Sequence, residues 1–315
     1  MAPLTMTWTL TLPPWRHLAA DARLATSPLA RWRARGDCLP DAMPGRECLI
    51  RDIFLFAGAS LPIAALTREL DAGDAAGSLW LRADPAYVRA DMVTARLMAC
   101  GELGLTREEC DALVQPLRPL FGDAGFPLEA TTTSRWYLRC PPGAQLPTFA
   151  TPDEALGADL GDHLPSGDVG RRWRSLFTEA QVLLHNHPVN RQRIARGQVP
   201  ANALWFWGAG LLPEWVKSSV TAVHSDDEVV RALAQRAGVE VRMLADAPAG
   251  EGEVFVDLAT TRADTITTWI ERADAALATK RTATLQLMFE SGERWHVTRG
   301  QRWRFWRRVR PLSAA

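Results

Sequence analysis

Four side chains in one short segment are the best candidates for chemistry. Asn190, Arg191, Arg193 and Asn202 lie within Leu183 to Pro213, LLHNHPVNRQRIARGQVPANALWFWGAGLLP. Arginine presents a fixed fork of donors, and beside amide side chains it suits recognition of phosphate or carboxylate. The same residues could instead tie an irregular connection together, because buried backbone groups need partners. Both readings remain open from the sequence. The segment also holds His185-x-His187, a spacing that can ligate a metal. No cysteine or carboxylate at ligand spacing accompanies it, and Pro188 follows directly, so capping of a helix end is the preferred reading. Gly208-Ala209-Gly210 follows an apolar run as a phosphate-cradling turn would, but Pro213 stands where a third small residue is needed, so a plain tight turn is preferred.

Other catalytic signatures are missing. GxSxG, HExxH, a Walker loop and a calcium-binding loop do not occur. Asp162-His163 is an acid–imidazole pair with no third member in view, and Asp226-Asp227-Glu228 reads as a helix cap with first-turn acids. The run Arg294 to Pro311 carries seven arginines interleaved with Trp295, Trp303, Phe305 and Trp306 and has no acid. Such a run can bind single-stranded nucleic acid. An edge strand with arginines outward gives the same pattern and is preferred, which leaves this run as the only nucleic-acid candidate.

The elements that must position these groups follow from patterning. The 315 residues carry 36 basic and 36 acidic side chains, so no overall charge announces a polyanionic partner. Five cysteines without a CxxC pair argue against a disulfide framework or a zinc knuckle, with Cys100 and Cys110 expected on helices. The proline-broken N-terminus is a poor signal peptide and no apolar run reaches about 18 residues, so a cytoplasmic protein off the membrane is expected.

Thr7 to Leu12 alternates as a strand, and helices are expected at Gly45 to Ala57 and after Pro62. Ser78 to Arg82 reads as a strand, with Asp84-Pro85 turning the chain into a helix that carries Val88, Met92, Ala95 and Met98. Thr106 and Glu109 form a capping box for a helix ending at Gly122, and Ser134 to Arg139 is a further strand. From Asp168 onward helices alternate with strands at Ala203 to Trp207, Ser219 to Val223, Val239 to Met243 and Glu253 to Leu258. A hairpin then spans Leu285 to Val297, and an edge strand is expected at Arg302 to Val309. Strand–helix alternation implies parallel pairing with helices on the faces. The expected fold is α/β, a mostly parallel sheet flanked by helices, with a smaller α+β insertion. Residues 1–77 and 166–315 would form the main domain, 78–140 the insertion and 141–165 a Pro- and Gly-rich linker.

HNHPVNRQRIARGQVPANALWFWGAGLLP, with TEAQVLL before it and LRADPAYVRADM and SRWYL elsewhere, resembles the RpfE-type regulatory proteins. The frame His187-Pro188-Val189-Asn190, Arg193, Gly197, Pro200-Ala201-Asn202, Gly208, Gly210 and Pro213 is also similar to a segment of archaeal-type cofactor-independent phosphoglycerate mutases, in the alkaline phosphatase superfamily. That resemblance implies a two-metal phosphoryl-transfer scaffold. It also implies a first strand ending in a metal-binding Asp-Gly, a nucleophilic serine in a Gly-rich loop, and a later Asp-His with a second histidine. Here the first strand ends Leu12-Pro13-Pro14, no serine of that kind precedes Trp80, and LATTRAD after Asp257 has no histidine. The expectation is a non-catalytic regulatory or interaction protein on a degenerate mutase scaffold, with no cofactor. Its partner would be a protein or a phosphorylated small ligand, with an anion site at Asn190, Arg191, Arg193 and Asn202. The alternative is a phosphoglycerate mutase or another enzyme acting on a phosphorylated small molecule.

Overall fold

A computed structural model describes residues 6–90, 94–248 and 252–309. The chain divides into two compact units: residues 1–57 with 214–315, and residues 58–213. The second unit is thus larger than the expected 78–140 insertion. It takes in the 141–165 stretch, which holds two short helices, Pro152–Ala155 and Leu160–His163, and also the segment carrying Asn190 and Arg193.

The first unit is built on a seven-stranded sheet. Its parallel part runs Glu240–Arg242, Ala222–His224, Glu253–Asp257, Thr7–Leu12, Thr284–Phe289. Arg294–Thr298 then adds antiparallel, and Asp37–Leu39 closes that edge. The expected edge strand at Arg302 to Val309 is not formed: Arg299–Trp303 is a 3-10 helix and the edge belongs to Asp37–Leu39.

Thr7–Leu12 sits between two strands and is covered on both faces, so its alternating threonines do not mark a wet side; Thr11 is fully buried. The helix Ala263–Ala278 buries Ile266, Trp269, Ile270, Ala273 and Leu277, one apolar stripe at helical spacing. Trp269 Nε1 donates to Leu244 O at 3.0 Å, satisfying the polar end of a large buried ring. The helix expected to reach Ala57 covers only Arg46–Ile53, because Leu55–Phe56 pairs with Val216–Lys217 instead.

The second unit is an antiparallel sheet around the long strand Leu79–Ala90. Ala203–Leu211 flanks it on one side; Trp136–Cys140 and then Ala95–Cys100 flank the other. The helix expected from Ala86 is therefore a β-hairpin, and Cys100 lies on a strand; Met92 falls outside the described residues. Asp84-Pro85 does not turn the chain because the buried Asp84 carboxylate is satisfied where it stands. It accepts from Arg82 Nε at 2.8 Å and Nη2 at 2.7 Å, from Trp136 N at 3.2 Å and from Trp207 Nε1 at 2.8 Å.

The glycines at 208 and 210 are not a turn. They lie within Ala203–Leu211 where that strand presses on Pro62 and Ile63; a Cβ at Gly210 would sit 2.3 Å from Pro62 Cβ. The Thr106–Glu109 capping box is formed, although its helix breaks at Gln115-Pro116 and resumes at Leu117–Asp123. All five cysteines are free thiols. Among the described residues no helix is long and apolar enough to cross a membrane.

Candidate functional site

In open α/β sheets the crevice beyond the carboxyl ends of the strands is where ligands bind. In the first unit that edge holds a buried ionic knot. Asp257 ends the strand Glu253–Asp257 and is only 2% exposed. Its register partner Thr11 donates from Oγ1 to Oδ1 at 2.8 Å. Ser225, just past the neighbouring strand Ala222–His224, donates from Oγ to Oδ2 at 2.9 Å.

The remaining lone pairs go to Arg46. Its Nη1 and Nη2 each lie 2.6 Å from one carboxylate oxygen, a bidentate fork, and Nη2 reaches Asp227 Oδ2 at 3.2 Å. Arg46 is the first residue of the helix Arg46–Ile53, where the positive end of the helix dipole disfavours a cation. The two carboxylates reverse that preference. Burial alone would push the Asp257 carboxyl up, but the Arg46 charge and the bonds from Arg46, Thr11 and Ser225 outweigh it and hold the group below the usual carboxylate range. Burial likewise works against the charged guanidinium, and Asp257 with Asp227 raises its pKa nonetheless.

The neighbouring acids are also occupied. Asp227 Oδ1 accepts from Val229 N and Val230 N as the cap of Glu228–Arg236, and Asp226 Oδ1 accepts from Leu244 N at 3.0 Å. His224 is buried, with its ring 4.8 Å from that of Trp269, and burial holds its pKa below the usual imidazole value. A crevice of about 410 Å³ is lined by Asp227 and Asp257 together with Thr260, Thr261 and Arg262.

The metals that the mutase resemblance implies do not fit this donor set. Among the described residues no three His, Cys, Asp or Glu side chains converge as metal ligands, and the two carboxylates nearest the edge share a guanidinium. Nor is there an activated nucleophile in the knot. The Thr11 and Ser225 hydroxyls are fully buried and donate to a carboxylate whose low pKa makes it a weak base.

The residues singled out by sequence stand elsewhere. Asn190 Nδ2 donates to Leu184 O and Ala201 O, each at 2.8 Å, and its Oδ1 accepts from Ala201 N at 2.9 Å. Arg193, 1% exposed, donates to the carbonyls of Val199, Gly104 and Leu103 and pairs with Glu109. Asn202 holds both backbone groups of Val88 at 2.8 Å. Arg191 is exposed. Asn190 and Asn202 share the lining of a groove of about 520 Å³ that Arg191 and Arg193 do not line.

His187 caps Pro188–Ala195 by accepting from Val189 N at Nδ1, 3.3 Å, and His185 closes the preceding helix. Arg46 and Thr11 escaped sequence reasoning. Their visible signal was an aspartate ending an apolar strand, which requires a counter-charge when buried.

No family model matches the chain. A Geobacter sulfurreducens protein named as a probable 2,3-bisphosphoglycerate-independent phosphoglycerate mutase is 36% identical over 99 residues, 30% of this chain and 25% of that protein. The enzyme of that name from Methanothrix thermoacetophila is 42% identical over 62 residues, 20% of this chain and 16% of that protein. That from Methanosarcina barkeri is 26% identical over 170 residues, 51% of this chain and 43% of that protein. The chain thus matches less than half the length of each of these curated relatives. The solved cofactor-independent phosphoglycerate mutase of Thermoplasma acidophilum aligns over 94% of this chain and 90% of its own, at 16% identity and a TM-score of 0.44. A Pyrococcus horikoshii protein aligns over 94% and 87% at 16% identity, with a TM-score of 0.47. The chain has an α/β fold with a mixed, mostly parallel central sheet, and over part of its length a remote resemblance to 2,3-bisphosphoglycerate-independent phosphoglycerate mutases.

Proposed function

We propose that the chain is a non-catalytic regulatory or interaction protein of the RpfE type, on a scaffold like that of the phosphoglycerate mutases. The observation that carries this reading is Arg46, which takes both oxygens of Asp257 and one of Asp227 at the carboxyl edge of the sheet. Two-metal phosphoryl transfer needs open anionic and imidazole ligands holding ions about 3.5–4 Å apart, together with a reachable nucleophile. Here the cation is covalently part of the chain and the hydroxyls beside it are sealed. The test is a mutase assay on 3-phosphoglycerate with added Mn²⁺. No turnover above background is expected.

The second reading, a phosphoglycerate mutase or a related enzyme on a phosphorylated small molecule, is favoured by the names of the curated relatives. Turnover that a chelator abolishes would establish it and overturn the first. As partner we propose a protein or a phosphorylated small ligand, with the exposed Arg191 as the anion contact. A melting-point rise with phosphate or 3-phosphoglycerate, lost in Arg191→Ala, supports the small ligand. No rise with either leaves only the protein partner.

A further inference from the structure

The arginine-rich run at the end of the described chain needs an explanation other than an edge strand. An edge strand would turn its aromatic residues inward, and the structure does the opposite. Trp303, Phe305 and Trp306 are 59%, 64% and 76% exposed. Trp303 and Phe305 meet edge to face, with ring centroids 5.7 Å apart. Arg302 lies over the Trp303 ring at 4.8 Å and Arg35 over Phe305 at 5.3 Å. The result is a shelf of aromatic faces interleaved with guanidinium planes.

The shelf borders a groove of about 380 Å³ between the helices Pro28–Arg35 and Ala263–Ala278 and the 3-10 helix Arg299–Trp303. Arg31, Arg35, Arg299 and Arg302 line it. The acids nearby are already matched: Asp274 pairs with Arg31, and Asp37 pairs with Arg304. Arg299, Arg302 and Arg308 have no acidic partner among the described residues, and the buried Nε atoms of Arg35 and Arg299 have no hydrogen-bond acceptor there. The surface therefore holds uncompensated positive charge beside exposed π faces, within a chain whose overall charge is zero.

We propose that this groove and shelf bind single-stranded nucleic acid. Phosphates complement the open guanidinium groups, and unpaired bases stack on aromatic and arginine planes without regard to sequence. An anionic membrane shares the charge but not the shape. Membrane insertion rewards aromatic rings that protrude together beyond the cations, whereas here arginines lie over the rings and line a concavity. A folded acidic protein would match the charge alone and leave the exposed ring faces unexplained.

The test is fluorescence anisotropy of a labelled 15-nucleotide oligothymidylate with the full chain at low ionic strength, beside co-sedimentation with phosphatidylglycerol–phosphatidylcholine vesicles. Binding should weaken with salt at a log–log slope of about −2, three phosphates at about −0.7 each. Arg302→Ala should flatten the slope by about 0.7. Trp303→Ala and Trp306→Ala should each weaken binding about tenfold with the salt slope unchanged. All three side chains are exposed, so their replacement should leave the melting point in place. Three results would overturn the proposal: no binding of the oligonucleotide, binding that the tryptophan variants leave intact, or retention by vesicles alone.

Discussion

Arg46→Ala tests the central ionic knot most directly. The substitution removes two hydrogen bonds of 2.6 Å from a carboxylate that is 2% exposed and leaves it only the Thr11 and Ser225 hydroxyls. Removing one member of a buried pair costs about 3–5 kcal/mol, because the other charge is left desolvated. At roughly 2–4 °C per kcal/mol for a body of this size, the melting point of the first unit should fall by about 6–20 °C. An exposed pair such as Arg171–Asp168, whose side chains are 78% and 93% exposed, should change stability by less than about 1 kcal/mol when broken. The double variant Arg46→Met with Asp257→Leu removes both charges and should recover to within about 2 kcal/mol of the wild type.

Acid dependence supplies an independent sign. The Asp257 pKa is lower folded than unfolded, so its stabilisation is fully present above the unfolded value of about 3.9 and fades as pH drops through the folded value. Urea unfolding at pH 7 and at pH 3 should show that part of the dependence in the wild type and not in the double variant. An Arg46→Ala chain within 1 kcal/mol of the wild type at pH 7 would refute the reasoning.

Three further outcomes follow from packing and hydrogen bonding. Arg193→Ala strands three backbone carbonyls and Glu109 and should cost about 3–5 kcal/mol, whereas the exposed Arg191→Ala should stay within about 0.5 kcal/mol; paired melts decide it. Gly210→Ala places a Cβ 2.3 Å from Pro62 Cβ and should cost about 1–3 kcal/mol by overpacking, read by urea unfolding. Burial holds the His187 pKa below its usual value, against the Ala112 carbonyl that raises it, so its cap is present above the unfolded value near pH 6.5 and is lost as pH falls through the folded value. His187→Ala should therefore cost about 1 kcal/mol at pH 8 and less at pH 5, measured by melts at the two pH values.

Elements with a strong local pattern were legible in the sequence. The stripe from Ile266 to Leu277 and the apolar strand ending at Asp257 stand where periodicity placed them, because burial on one stripe or on both faces leaves a local record. Asp84-Pro85 misleads for a physical reason. Asp favours a turn by bonding the backbone two residues on, and here Arg82, Trp136 and Trp207 take its carboxylate inside a sheet instead. Short exposed edges such as Asp37–Leu39 leave no burial pattern to read. The knot at Asp257 is nonlocal by nature: Arg46 and Asp257 lie 211 positions apart, so no window of sequence contains the interaction.

The segment from Leu183 to Pro213 is explained by what it does locally. Asn190 links Leu184 to Ala201, Asn202 holds Val88 of the neighbouring strand, and Arg193 clamps the loop at Leu103 and Gly104. Gly210 lets a strand pass Pro62. Each of these residues is explained by what it does for the second unit, where a change would leave a polar group unpaired or force a clash. A resemblance carried by such residues is accounted for by a shared scaffold. The densest charge in the first unit lies instead at the carboxyl edge of its sheet, where Arg46 pairs with both Asp227 and Asp257.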